Sequence, residues 1–326
     1  MRSRASQPIT RALLALLCSA AAAQAQTDVK PQEATAARAD ATVIVCAQQG
    51  DIVVRGTERA EVRASVSAPS GVRLRPTRAG ADAGSPASSV EVLATDDRES
   101  FSCQFSGRLT VEVPRGSFVQ IKTVEGKVSV SDVAGVRVET VSGDVDLRGV
   151  ARSAEVASAN GHLSLRKAAG RVRLHTISGT IEAAEVASVE AGDEFSAKTT
   201  SGSITLAQVS HPRVEASTTS GQIEFAGALA PSGVYNLRSY SGGVTLALPA
   251  DSSFRLSAKV SHGGEIDTDF PVRVTQEAAG ENILGGSHST LRLNGLAGQS
   301  DRPGASVTLT SFSGTITLRK SAGAPR

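Results

Sequence analysis

Residues 199–206 read TTSGSITL, and residues 218–225 read TTSGQIEF. The phrase is a hydroxyl residue, two variable residues, a glycine, and then small aliphatic residues alternating with polar ones. It recurs as TVEGKVSV from Thr123, TVSGDVDL from Thr140, SANGHLSL from Ser158, TISGTIEA from Thr176, SYSGGVTL from Ser239, SHGGEIDT from Ser261 and SFSGTITL from Ser311. Its glycines are Gly126, Gly143, Gly161, Gly179, Gly202, Gly221, Gly242, Gly264 and, after a longer gap, Gly314. A period of roughly twenty residues signals a stacked repeat, in which no copy buries its apolar face alone and neighbours must do so for one another.

Two and four residues after the glycine stand pairs such as Val128 and Val130, Leu163 and Leu165, and Ile204 and Leu206. They point to one side of an extended strand, and β-branched residues suit a pleated surface. Positions −3, −1, +1 and +3 are almost all polar, which predicts an opposite, solvated face. A glycine at one fixed place predicts a positive φ, a bulge, or close approach of the next coil. About twenty residues per coil leave room for one strand and its return, so the copies should stack in parallel, about 4.8 Å apart. The expected fold is all-β: a parallel β-solenoid of about nine or ten rungs with an N-terminal β cap.

A longer echo runs through the chain. LTVEVPRGSFVQIKTVEG from Leu109 resembles VTLALPADSSFRLSAKVSHGG from Val244, with proline and phenylalanine in matching places. Residues 42–114 alternate as strands without the glycine phrase, and are expected to be either an antiparallel cap or irregular first rungs. Residues 77–89 read as a surface loop, residues 270–306 as one or two longer coils, residues 115–320 as the repeat body, and residues 321–326 as a tail.

The first 25 residues combine Arg2, Arg4 and Arg11, a short apolar run and Ala23-Gln24-Ala25, the three parts of a secretory signal peptide. Cys18 raises a lipoprotein anchor as the rival, against which stands Leu17 where a small residue is needed. Residues 26–41 are polar and alanine-rich, and read as a disordered leader. Removing residues 1–25 takes away three arginines and no acids, so the net charge becomes +2 − 3 = −1. That leaves no electrostatic footprint for nucleic acid, and no remaining apolar stretch is long enough for a transmembrane helix. Cys46 and Cys103 are then an even pair in an exported chain, which reads as a disulfide.

The serial T-x-S-G-x-[IV]-x-[LVF] phrases, GDIVVRGTERAEVRASV from Gly50, VEVP before the first repeat and ILGGSHSTLRLNG from Ile283 resemble the bacterial putative-adhesin, β-strand-repeat family, a domain of unknown function. The resemblance spans about residues 42–320. It implies an exported, cell-envelope β-solenoid and supplies no catalytic or binding residues.

Nucleophile-elbow, phosphate-loop, zinc-protease and dinucleotide motifs are absent from the sequence. The expectation is therefore a non-enzymatic interaction surface without metal or cofactor. The alternative is a polysaccharide-active β-helix enzyme. One constellation offers chemistry. If the strands stack in register, Asp146, Glu182, Glu224 and Asp267 fall on alternate rungs of position +3, beside a column of Ser and Thr at −3, while Asp144 could meet His162 or Lys127. Such a ladder would hold a repetitive ligand, an envelope polysaccharide or a protein surface, by avidity.

Overall fold

The computed structural model describes residues 32–67, 70–78, 84–95, 103, 105–276, 290–298 and 304–321. The segment expected as a signal peptide, residues 322–326 of the expected tail and the whole glycine-rich 277–289 stretch, with Ser287 and His288, lie outside the described residues. The described chain is all-β and forms one connected 24-stranded sheet system.

Each level of the molecule has two strands meeting at a glycine corner, and each strand pairs in parallel with its counterpart one level away. At the Gly202 level the strand before the corner is Glu194–Ser201 and the strand after it is Ile204–Ser210. The first pairs with Arg171–Ser178 and Arg213–Ser220, the second with Ile181–Ala187 and Ile223–Ala226, all in parallel and in register. The ladder continues round the corner, because the Gly202 N–H donates to the Ser220 carbonyl at 2.8 Å.

Inward residues form one continuous core. At this level they are Phe195, Ala197, Ile204, Leu206 and Val209, all buried. Thr199, at position −3, is buried with them, and so are Thr123, Thr140, Ser158, Thr176, Thr218, Ser239 and Ser311. The hydroxyl column is thus inside, not on the solvated face where alternation placed it. Both residues just before the glycine point outward, as the pattern eBiBiBee of Glu194–Ser201 shows, so the corner resets the alternation. The buried hydroxyls donate to corner carbonyls, as Thr218 Oγ1 does to Gly202 O at 3.0 Å and Ser239 Oγ to Gly221 O at 2.9 Å.

The glycines stack on one another. A Cβ at Gly202 would lie 2.1 Å from the Gly179 carbonyl oxygen, and one at Gly143 would lie 2.0 Å from that of Gly126. The same contact continues at the N-terminal end to Gly50 and Gly107, which the sequence phrase does not mark: Gly126 meets Gly50 O at 2.1 Å and Gly50 meets Gly107 O at 2.2 Å. At Gly50 the −3 position is Ala47.

Levels do not follow one another in chain order at the ends. The level built by the later part of Gln32–Cys46 and by Asp51–Thr57 lies between that of Ala87–Thr95 and Arg108–Pro114 and that of Phe118–Lys122. At the other end the last level, Ser306–Ser313 with Ile316–Ser321, lies between Val234–Ser241 with Val244–Pro249 and Phe254–Ser261 with Ile266–Thr268. Each terminal level is therefore clamped between two others. The two echoing segments are the steps that jump over them. Both use one turn, with Ser117 N donating to Pro114 O and Ser252 N to Pro249 O, each at 3.0 Å.

Antiparallel strands finish both ends. Glu61–Val66 pairs with Arg108–Pro114 and with the start of Gln32–Cys46, and Gly71–Thr77 pairs with Ala87–Thr95. Six strands at this end close a hydrogen-bonded ring, Gln32–Cys46, Glu61–Val66, Arg108–Pro114, Asp51–Thr57, Val128–Ser142 and Phe118–Lys122. Residues 32–36 are strand rather than disordered leader, because Glu61–Val66 offers them an antiparallel partner. Within the stretch expected as longer coils, Thr290–Ala297 pairs antiparallel with Phe254–Ser261 and Val272–Gln276. Such pieces cover the strand edges that an open stack would expose. Cys46 and Cys103 are disulfide-bonded with Cα atoms 5.6 Å apart, tying the second level to the outermost one.

Candidate binding surface

Outward side chains form columns, because the parallel pairs on either side of the glycine corners hold one register from level to level. On the strands after the glycine, position +3 runs Ser129, Asp146, Ser164, Glu182, Thr205, Glu224, Thr245, Thr317 and Asp267 in spatial order. Asp146, Glu182 and Glu224 stand on alternate levels. Asp267 does not continue the alternation: the inserted last level puts both Thr245 and Thr317 between it and Glu224.

These acids already have company. Asp146 pairs with Lys127 Nζ at 2.7 Å, and that hydrogen bond holds the lysine above its ordinary pKa. Asp144 accepts the backbone N–H of His162 at 2.9 Å, while the His162 ring contacts Thr180 Oγ1 and lies 3.7 Å from Glu182. Arg166 also approaches Glu182, at 4.0 Å. Asp144, Asp146 and Glu182 thus belong to a mixed-charge surface patch, and exposed pairs of this kind contribute little stability. Arg55, Arg148 and Arg166 lie close by, with Ser129 and Ser131, around a shallow depression.

The strands before the glycine carry a feature the phrase concealed. Position −2 points outward, and there Val124, Val141 and Ile177 are each about half exposed, followed by Thr200 and Thr219 and then Tyr240, itself 54% exposed. Tyr240 stacks on Phe312 with centroids 4.5 Å apart and planes 6° from parallel, and His262 packs against Phe312 at 4.5 Å. Tyr240 and Phe312 are 72 positions apart in sequence, and the clamped last level makes them neighbours. One column over, Arg238, Thr310 and Lys259 occupy successive levels. A groove of about 440 Å³ runs between the two columns, lined also by Ser217, Thr219 and Ser261. Reading −2 as outward would have shown the aromatic positions. The SHGGEIDT copy would still have misled, because register puts Val260, not Ser261, level with Ser311.

A family model described as Toastrack DUF4097 matches residues 83–291, more than half the chain. The chain belongs to this family. The resemblance carried by the serial glycine phrases is thereby met, and the Toastrack match takes in eight of the nine glycines that mark them, all but Gly314. A solved structure from Clostridium sporogenes, described as a "putative cell adhesion protein", covers 90% of this chain and 100% of its own at 8% identity and a TM-score of 0.25, and no property is carried over from it. A search of curated proteins finds no match. Among the described residues no group of three or more His, Cys, Asp or Glu is placed to hold a metal ion, and no helix is long and apolar enough to cross a membrane.

Proposed function

We propose that the chain is an exported, non-enzymatic protein of the cell envelope, a parallel β-solenoid capped at both ends whose outward columns bind a repetitive partner. The observation that carries this reading is the register: equivalent outward positions recur on successive levels about 4.8 Å apart, held there by the glycine corners. Weak contacts repeated on a rigid face sum to useful affinity only with a ligand that is itself repetitive. The disulfide between Cys46 and Cys103 supports an oxidising compartment, in keeping with the signal peptide expected in residues 1–25.

The test is sedimentation of the purified chain with isolated cell-envelope fractions. Saturable co-sedimentation is expected. Its absence would overturn the reading, and cleavage of envelope polysaccharide by the chain would replace it with the β-helix enzyme. A variant carrying Asp146→Ala, Glu182→Ala, Glu224→Ala and Asp267→Ala is expected to sediment nearly as well, since two of these acids already have cationic partners.

A further inference from the structure

We propose that the groove beside Tyr240 binds an acidic polysaccharide, a polymer of carboxylate-bearing sugars, by stacking a sugar ring on Tyr240 and pairing carboxylates with Arg238 and Lys259. The inference rests on the surface-binding reading above and names its ligand class.

Three observations converge on the groove. The first is the ring. Phe312 packs flat against one side of Tyr240 and fixes its orientation. On the other side the column continues as Thr219 and then Thr200, whose side chains are shorter than the ring, and Tyr240 stays 54% exposed on the groove. A flat, apolar ring face beside hydroxyls suits a pyranose, which has a C–H face and a polar rim.

The second is the charge. Arg238 and Lys259 are exposed on either side of Thr310, two levels apart, which is about 9.6 Å by strand spacing. No carboxylate lines the groove among the described residues. Glu215, one level from Arg238 on this face, is paired with Lys198 at 3.0 Å. A neutral sugar would leave both cations unused, whereas a carboxylate can accept two parallel hydrogen bonds from Arg238.

The third is shape. The groove's volume falls within the usual range of about 300–1,000 Å³ for small ligand sites, and it runs across successive levels instead of ending in a closed pocket. A peptide adding itself as a strand would need a free edge, but each strand here is hydrogen-bonded on both sides. Two cations are too few for the phosphate-driven binding of nucleic acid.

The experiment is calorimetric titration of the full chain with polygalacturonate, its fully methyl-esterified form and dextran sulfate. Polygalacturonate is expected to bind and the methyl ester to fail. Tyr240→Ala and Arg238→Ala are each expected to weaken binding about tenfold, with Tyr240→Phe close to the parent. Should Tyr240→Ala lower Tm, Arg238→Ala and Lys259→Ala, both on exposed side chains, carry the test. Equal binding of the methyl ester, dextran sulfate binding that persists in Arg238→Ala, or indifference to all these variants would overturn the proposal. Absence of any polysaccharide binding would also overturn it. If envelope fractions still sedimented the chain in that case, the surface reading would survive and only the ligand class would fall.

Discussion

Six successive levels, those cornered at Gly126 to Gly221, turn twice with a left-handed backbone, and the two turns differ in what they ask of the sequence. At the first, residues such as Gly143 and Gly202 have φ near +140° and their α-carbons face the preceding level's carbonyl. At the second, six residues further on, φ is again positive, yet the residues are Asp132, Gly149, Lys167, Glu185, Gln208 and Gly227. Positive φ alone therefore does not impose glycine here. The near +55° values at Lys167, Glu185 and Gln208 fall in the small left-handed region open to L-residues, whereas the first corner lies outside it and also lacks room for a Cβ. Contact between levels, more than the dihedral, writes the visible repeat.

The strongest way to break this comparison is to put a side chain on the first corner. Gly202→Val would drive Cβ to 2.1 Å from backbone that is itself hydrogen-bonded. We expect a loss of more than about 4 kcal/mol, or failure to fold, against a change within about 0.5 kcal/mol for the outward Ser203→Val. Chemical denaturation of both variants checks it. Equal midpoints would show that the corner tolerates a Cβ by shifting the stack.

The next largest effect belongs to the end where the hydroxyl-glycine phrase is missing. Gly50 and Gly107 keep the stacking contact, but Ala47 replaces the corner hydroxyl, and a disulfide ties these two levels together instead. Closing a loop across a sequence separation of 57 residues has an entropic value of up to about 4 kcal/mol. Cys46→Ser with Cys103→Ser is expected to lower Tm and to expose residues 42–114 to protease before the regular levels. Uniform proteolysis along the chain would show that the disulfide does not act locally.

These contrasts also mark what was legible. The phrase that repeats every twenty or so residues exposed the parallel stack and the inward pairs such as Ile204 and Leu206, because both rest on local alternation. It misplaced the −3 hydroxyls, since no local rule says that two successive residues before a glycine face outward. It missed the second turn, whose dihedral is shared by Asp, Lys, Glu and Gln. It also missed the Tyr240–Phe312 stack, which exists only because the last level inserts out of chain order. The echo around Pro114 and Pro249 did record that insertion, but as similarity between two segments rather than as a jump over a level.

A third place where the chain turns, at His211, supplies a buried titratable contrast to the two corners. His211 is fully buried, with Nε2 2.7 Å from Gly170 O, Nδ1 without a partner, and its ring edge-on to Phe195. Burial holds its pKa below the ordinary 6.5, opposed by the bond to Gly170 and by nearby Asp193. The unfolded chain thus takes up a proton near pH 6.5 that the folded chain refuses. His211's contribution is full above that pH and is lost as pH falls through the lowered folded value. Asp193, held below 3.8 mainly by the backbone N–H of Glu190, acts only in a more acidic window. Tm measured from pH 7.5 downward should fall through this range in the parent and less steeply in His211→Phe. Parallel curves would remove His211 as the cause.

The smallest effect is the sharpest test of the two-turn argument, because it is expected to run the other way. Glu185 has φ of 56° in the second turn, is exposed, and lies beside Gln208 of the next level, which has the same conformation. A left-handed residue other than glycine carries about 1–2 kcal/mol of strain, part of which glycine relieves while adding disorder to the unfolded chain. Glu185→Gly should therefore be neutral to stabilising, by up to about 1 kcal/mol, while the reverse kind of change at Gly202 abolishes folding. A stabilised Glu185→Gly beside a collapsed Gly202→Val would show that the second turn bears strain its side chains are free to carry, and that the first is ruled by the neighbouring level. Destabilisation by Glu185→Gly of more than about 1 kcal/mol would instead mean that the Glu185 side chain anchors the turn, and the distinction between the corners would have to be redrawn around side-chain contacts.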